Sequence, residues 1–333
     1  MANLYLTEQG SVLRKTGDRL IVEKDGNELL EIECFKLDTV LVFGNVQITT
    51  PALTHLLQHD IELVLLTVGG HLKGQLTPPK AKNVLLRMAQ YRLSQDCSFS
   101  LGLARQIVRC KLENSRALLA RHHHNHPDRG FEIYRQELNR LAAKITGAQT
   151  MESLRGFEGS SARAYFEGFS LACRKELTFD GRRRRPPTDP INALLSLGYT
   201  LVGSELTSLL DGMGYDPYIG FYHQLDYGRP SLALDLLEEF RVPAVDRLVL
   251  NLTNLEALRK DDFINDEETG GLKLKRDPLV KFFRAYEEHL NRKFKNSVSG
   301  DNTTLRKSLQ RQAERLASNL TQGEPYTPFT LEW

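Results

Sequence analysis

The first 80 residues alternate apolar and polar positions with a period of two and are rich in β-branched side chains. The runs with this pattern are SVLRK, RLIVEK, LLEIEC, TVLVFG and VQITT, with glycine-containing turns between several of them. Because successive residues of a strand face opposite sides of a sheet, the pattern predicts strands with one buried face. Helical spacing over residues 51–59 predicts one short helix. We therefore expect a small β-rich domain over residues 1–80.

After Pro78-Pro79 the apolar period changes to 3.6, which predicts helices for most of the remaining chain. Asp189 followed by Pro190 is typical of a helix start, since Asp caps and Pro suits the first turn. The expected architecture is α+β, with a linker over residues 81–90 and a larger all-α domain over residues 91–333. Further helical stripes are predicted over residues 101–119, 131–145, 151–169, 191–209, 279–294 and 305–320.

Composition fits two globular domains in a chain of 333 residues, of which 41% are hydrophobic and 26% charged. No run approaches the roughly 18 uninterrupted apolar residues that a membrane helix needs, so we expect a cytoplasmic protein without a membrane partner. Cysteines at positions 34, 97, 110 and 173 lie far apart without a CxxC pair. This spacing argues against a disulfide framework and against a thiolate zinc site, and favours reduced packing residues.

Glu158 interrupts an apolar helix stripe in the segment MESLRGFEGSSARAYFEGF. An ionised carboxylate in apolar surroundings is unfavourable unless it is paired, protonated or bound to a metal. The alternative to a metal site is an ion pair with a nearby arginine such as Arg155 or Arg163.

A second acidic group lies in SLALDLLEEFR, where Asp235, Glu238 and Glu239 are expected opposite the core face of a short helix. Asp235 and Glu238 are one turn apart, where like charges repel unless a cation lies between them. The simpler interpretation is a solvated acidic face. His223 precedes Asp235 by twelve residues, in a predicted loop. Two carboxylates and one imidazole suit Mg²⁺ or Mn²⁺ better than Zn²⁺.

Basic residues that are candidates for phosphate contacts are Arg182, Arg183, Arg184, Arg185, Arg229 and Arg241. Arg241 is alternatively an ion-pair partner of Glu238 or Asp235. A net charge of only +2 means that the whole chain is not a polycation. The segment HHHNH, residues 122–126, has no acidic residue at ligand spacing, so we do not predict a metal site there. His59-Asp60 resembles the HD dipeptide of metal phosphohydrolases, but the other residues of that motif are missing, so this dipeptide is not predicted to bind a metal either.

Several long motifs together resemble the CRISPR-associated integrase family called Cas one. The motifs are LRGFEGSSARAYF, RRRRPPTDPINALLSLGYTL, GFYHQLDYGRPSLALDLLEEFR and, nearer the start, LYLTEQGSVLRKTGDRLIVEKDG and VFGNVQITTPAL. They occur in the family's order and involve nearly all of the chain, which is far less probable by chance than any single motif.

The resemblance implies that Glu158, His223 and Glu238 bind a catalytic Mg²⁺ or Mn²⁺ ion. Asp235 matches an acidic position used in some branches of the family, so it is a further candidate catalytic residue. The resemblance also implies a homodimer, a partner protein called Cas two, and double-stranded DNA as substrate. The implied reaction inserts new spacers into a CRISPR array by attack of a DNA 3′-hydroxyl on a repeat phosphodiester. Alternatives are a stand-alone metal-dependent nuclease on branched DNA or RNA, and a non-catalytic nucleic-acid scaffold.

Overall fold

The computed structural model describes residues 2–70, 72–77, 83–173, 177, 179–267, 269–295 and 300–330. Contacts between Cα atoms divide the chain into two compact units. The first contains residues 1–81 and 276–287, and the second contains residues 82–275 and 288–333. The predicted α+β fold class is confirmed, because a strand-rich N-terminal part is followed by a mainly helical one.

The first unit is built from strands and one short helix before residue 81. These elements are β1 (Ala2–Leu6), β2 (Val12–Thr16), β3 (Arg19–Lys24), β4 (Asn27–Glu33), β5 (Leu37–Phe43), β6 (Gln47–Ile48), α1 (Thr50–Gln58), β7 (Glu62–Leu66) and β8 (Leu72–Leu76). One sheet has the order β1-β5-β7-β8, in which β8 alone is antiparallel to its neighbour. The other has the order β4-β3-β2-β6, with β6 parallel to β2.

Inward side chains of both sheets and of α1 form one apolar core in this unit. Leu13, Leu20 and Val40 are fully buried, and Leu56 of α1 packs in the same cluster. Burial of alternate strand positions is the arrangement that the period of two predicts. Cys34, at the end of β4, also belongs to this core.

The second unit is mainly helical. Its helices are α2 (Val84–Ser94), α3 (Cys97–Asn125), α4 (Phe131–Thr146), α5 (Met151–Ala172), α6 (Pro190–Met213), α7 (Ser231–Phe240), α8 (Arg247–Asn254) and α10 (Leu305–Gln322), while α9 (Arg276–Asn291) spans the boundary between the units. A π-helical segment, Arg241–Asp246, joins α7 to α8. The expectation of an all-α region needs correction, because the short strands β9 (Phe263–Asn265) and β10 (Leu272–Leu274) pair, as do β11 (Phe294–Lys295) and β12 (Asn302–Thr303).

The segment expected as a linker over residues 81–90 is mostly helix in its described part. Asn83 caps α2 by accepting a hydrogen bond from the Leu86 amide at 3.2 Å, so the helix begins at Val84. Pro78-Pro79 and residues 81–82 lie outside the described residues.

The first part of α9 belongs to the first unit rather than to the helical region, which the sequence did not indicate. Phe283 stacks on Tyr5 with ring centroids 4.5 Å apart and contacts Phe43 at 4.7 Å. The Tyr5 hydroxyl also donates to Glu287 Oε1 at 2.6 Å. Aromatic packing between residues about 280 positions apart is invisible to local periodicity.

Capped helix starts position two elements of the candidate site, and the first of these starts was predicted. Asp189 caps α6 by accepting from the Asn192 amide at 2.8 Å, with Pro190 in the first turn. Thr150 and Ser153 form a reciprocal capping box at the start of α5. Within the described residues, α6 alone has the length and apolar composition to cross a membrane, and most of that apolar window is buried inside the protein as in a core helix.

Candidate functional site

Glu158 lies on α5 and keeps a fifth of its side chain accessible. Leu154, one turn earlier, and Tyr165 and Phe169, further along the helix, are buried, as the apolar stripe predicts. The partner of Glu158 is neither Arg155 nor Arg163. It is Lys111 of α3, whose Nζ makes a very short contact with Glu158 Oε1.

The acidic residues of α7 do not form a solvated face, so that interpretation is wrong. Asp235, Glu238 and Glu239 are all buried, because protein surrounds α7 on every side that carries them. Glu239 accepts hydrogen bonds from the Tyr326 hydroxyl at 2.5 Å and the Phe329 amide at 2.7 Å. It therefore holds the C-terminal segment, whereas the other two acids face the candidate site.

Asp235 organises the loop that carries His223. Its Oδ2 accepts from the amides of Phe221 at 2.6 Å and Tyr222 at 3.0 Å. Its Oδ1 accepts from the His223 amide at 2.9 Å and lies 2.8 Å from His223 Nδ1. The Asp235 carboxylate accepts a hydrogen bond from Nδ1, so in the neutral imidazole Nδ1 carries the proton and Nε2 keeps its lone pair. Asp235 thus fixes both the position and the tautomer of His223.

Gly220 is required for this close approach of loop and helix. A Cβ atom at that position would lie 2.8 Å from Asp235 Oδ2 and 2.9 Å from the Ser231 carbonyl carbon. Both separations are shorter than side chains tolerate, so any larger residue would displace the loop.

Glu238 connects the remaining charged groups. Its Oε1 lies 3.7 Å from His223 Nε2, and its Oε2 lies 2.7 Å from Lys111 Nζ and 2.9 Å from Arg241 Nε. Contacts therefore link the three predicted ligands in a row: the Lys111 ammonium lies between Glu158 and Glu238, and Glu238 also faces His223. Lys111 was not anticipated from the sequence, where it is one polar residue of an amphipathic helix.

The electrostatics of the site keep Glu238 ionised. Burial alone would raise the pKa of Glu238, but the charges of Arg241 and Lys111 outweigh burial and hold this pKa far below its usual range. Burial would lower the pKa of Lys111, yet Glu238 and Glu158 raise it overall. Glu238 Oε2 is buried without an aligned hydrogen bond from any described residue, despite its two close cations.

A buried hydrogen-bond network of Tyr165, Tyr199 and Asp246 lies next to Arg241. The Tyr165 hydroxyl donates to Asp246 Oδ2 at 2.6 Å, and the Tyr199 hydroxyl donates to Asp246 Oδ1. The Arg241 guanidinium lies 4.5 Å from the centre of the Tyr199 ring. Burial raises the pKa of Asp246 to about 6, although both tyrosines and Arg241 oppose that rise. Sequence reasoning missed this network because its members are distant along the chain.

The family model described as CRISPR associated protein Cas1 matches residues 4–288. The chain belongs to the Cas1 family. A CRISPR-associated endonuclease Cas1 of Thermus thermophilus is 35% identical over 331 residues, which cover 98% of this chain and 97% of that protein. The resemblance inferred from the motifs is therefore confirmed, and the chain is an enzyme of the nuclease and integrase class.

Solved structures agree with this assignment to the Cas1 family. A casposase bound to integration product has a TM-score of 0.87 and 26% identity, covering 99% of this chain and 93% of that one. A Cas6-RT-Cas1–Cas2 complex contains a chain with a TM-score of 0.84 and 27% identity. The match covers all of this chain and 36% of that longer chain.

The arginines predicted to contact phosphates have different environments in this Cas1 family member. Arg183, Arg184 and Arg185 are exposed, and Arg229 is half-buried. Arg182 donates to Asn192 Oδ1 at 2.7 Å and to Ser196 Oγ at 3.0 Å, so it anchors its own segment to α6. Arg182 and Arg184 both line a cavity that also contains Lys111 and Arg241. Since Arg241 is paired with Glu238, its alternative interpretation as an ion-pair partner is the one that the geometry favours.

Proposed function

We propose that the chain is a divalent-metal-dependent DNA endonuclease and integrase that inserts new spacers into a CRISPR array. The supporting observation is the row of contacts from Glu158 through Lys111 to Glu238, and from Glu238 to His223, in a member of the Cas1 family. In the proposed reaction, a DNA 3′-hydroxyl attacks a phosphodiester of the repeat, and the oxygen of the broken P–O bond leaves.

The donor set fits Mg²⁺ or Mn²⁺. Two carboxylates supply hard oxygen ligands, and one neutral imidazole nitrogen favours Mn²⁺ slightly. Lys111 Nζ lies between the two glutamates, so this position stabilises positive charge. Glu158, His223 and Glu238 would hold the ion, which supplies Lewis acidity and lowers the pKa of the attacking hydroxyl.

The chain's own side chains contribute the remaining parts of the mechanism. Asp235 keeps the proton on His223 Nδ1, so Nε2 stays available on the side of Glu238. We therefore assign Asp235 a positioning role instead of direct coordination. Lys111 and Arg241 place two permanent positive charges next to the reaction centre, where negative charge develops on phosphorus in the transition state.

Membership of the Cas1 family also supports a proposal for the partners of this chain. The casposase match was bound to integration product, and another match was part of a Cas1–Cas2 complex. We propose double-stranded DNA as substrate, with the exposed Arg183, Arg184 and Arg185 as phosphate contacts. We also propose a homodimer that assembles with Cas2.

A strand-transfer assay tests the proposal. Labelled donor DNA is incubated with a repeat-containing plasmid and Mn²⁺, and covalent insertion is measured. We expect insertion by the wild type and none by Glu158→Ala, while Glu167→Ala, an exposed glutamate on the same helix, retains activity.

Two outcomes would overturn the proposal. Metal-dependent degradation without joining would indicate a stand-alone nuclease. DNA binding that is unchanged by a chelator, with no product under Mg²⁺ or Mn²⁺, would indicate a non-catalytic scaffold.

A further inference from the structure

A cluster of potential metal ligands lies in the first unit and takes no part in the candidate site. One ligand atom each of Cys34, His55 and His59 lies within 4.8 Å of the other two. Cys34 begins the 3₁₀ turn that follows β4, whereas His55 lies in the last turn of α1 and His59, four residues later, is its C-cap residue. Residues at that spacing share one helix face, so the fold turns both rings towards the end of β4.

His59 offers a lone pair for coordination, whereas Cys34 must first lose its thiol proton. His59 Nδ1 lies 2.9 Å from the His55 carbonyl oxygen, to which it donates, and this hydrogen bond leaves a lone pair on His59 Nε2. A backbone carbonyl that fixes the tautomer in this way is a common companion of metal-binding histidines. The Cys34 thiol is almost fully buried, and burial raises its pKa.

We infer that Cys34, His55 and His59 form a binding site for a zinc-class transition metal ion. A thiolate with two imidazoles is a borderline-soft donor set that suits Zn²⁺ or Co²⁺, and excludes Mg²⁺ and Ca²⁺ as preferred ions. Zinc–ligand bond lengths imply ligand atoms about 3.5 Å apart in a tetrahedral site. Separations of up to 4.8 Å must therefore shorten by at most about 1.3 Å, and the exposed His59 side chain can make that movement.

Three protein ligands leave the fourth tetrahedral position to water on the exposed side of His59. The ion would join α1 to the connection between β4 and β5, and its binding would displace the proton of the Cys34 thiol. This site differs in ligand chemistry from the oxygen-rich candidate site in the second unit, and it does not depend on the proposed function.

Cobalt substitution tests the inference on the full chain. The protein is stripped with a chelator and titrated with Co²⁺, and the thiolate-to-cobalt charge-transfer band is recorded. We expect one Co²⁺ per chain with this band, and loss of the band in Cys34→Ser and in His59→Gln. Cys97→Ser is the matched control, because Cys97 is an exposed cysteine outside the cluster.

Thermal unfolding provides a second readout that does not depend on a colour change. Added Zn²⁺ should raise the midpoint of the wild type and of Cys97→Ser by more than it raises that of His59→Gln, because His59→Gln keeps only the candidate site of the second unit. The His59 side chain is exposed, so its replacement should leave the fold intact. Absence of the charge-transfer band in the wild type, or an equal band in Cys34→Ser, would overturn the inference and leave Cys34 as an ordinary core residue.

Discussion

Asp235→Asn should separate the positioning role of Asp235 from direct metal coordination. The wild-type carboxylate accepts from the amides of Phe221, Tyr222 and His223 and from His223 Nδ1, at 2.6 to 3.0 Å. An asparagine keeps one acceptor oxygen and turns an NH₂ group towards two of these donors. At about 1.5 kcal/mol for each charge-assisted hydrogen bond, losing two lowers the free energy of unfolding by about 3 kcal/mol.

The same substitution should weaken metal binding without removing a ligand. If the amide NH₂ faces His223, Nδ1 must accept, and the ring proton moves to Nε2, which lies 3.7 Å from Glu238. A protonated Nε2 cannot coordinate, so we expect Mn²⁺ affinity to fall about 10- to 100-fold, the usual effect of losing such a supporting carboxylate.

Urea denaturation and an EPR titration with Mn²⁺ measure these two effects. Asp226→Asn is the matched control, because Asp226 is exposed in the same loop and, among the described residues, its carboxylate accepts a hydrogen bond from the Tyr227 amide alone. Wild-type unfolding energy together with wild-type Mn²⁺ affinity in Asp235→Asn would refute the positioning role.

Other substitutions test neighbouring features. Lys111→Met removes the ammonium between the two glutamates, so Mn²⁺ affinity by calorimetry should rise about tenfold while strand transfer falls; unchanged affinity would contradict this. Burial lowers the pKa of His289 from 6.5 to about 4, so stability present above pH 6.5 should decline by up to about 3 kcal/mol as pH falls towards 4. In urea titrations at several pH values, His289→Gln should reduce the pH dependence of the free energy of unfolding between pH 6.5 and 4. An unchanged pH dependence would exclude His289 as its source. Gly220→Ala should displace the loop and reduce both strand transfer and Mn²⁺ affinity, unlike Gly212→Ala, where a Cβ has free space.

Local patterns predicted the elements that carry the candidate site. Glu158 stood out because it interrupts an apolar stripe, and the Asp189 cap marked the start of α6. These features were predictable because helix periodicity and capping depend on residues only a few positions apart in the sequence.

Features that depend on contacts between distant segments were not predictable. Lys111 meets Glu158 from another helix 47 residues away, and nothing in its own neighbourhood marks it. The acids of α7 looked solvated because their helix has an acidic face, yet loops and helices from elsewhere bury them. Cys34 has no CxxC spacing, but the fold brings it to His55 and His59.

Anomalous diffraction from a crystal soaked in Mn²⁺ tests the central claim most directly. A peak coordinated jointly by the Glu158 carboxylate, His223 Nε2 and the Glu238 carboxylate is the predicted result, with Lys111 Nζ moved away from between the glutamates. Full strand-transfer activity in the same protein, with no peak among these three side chains, would contradict it.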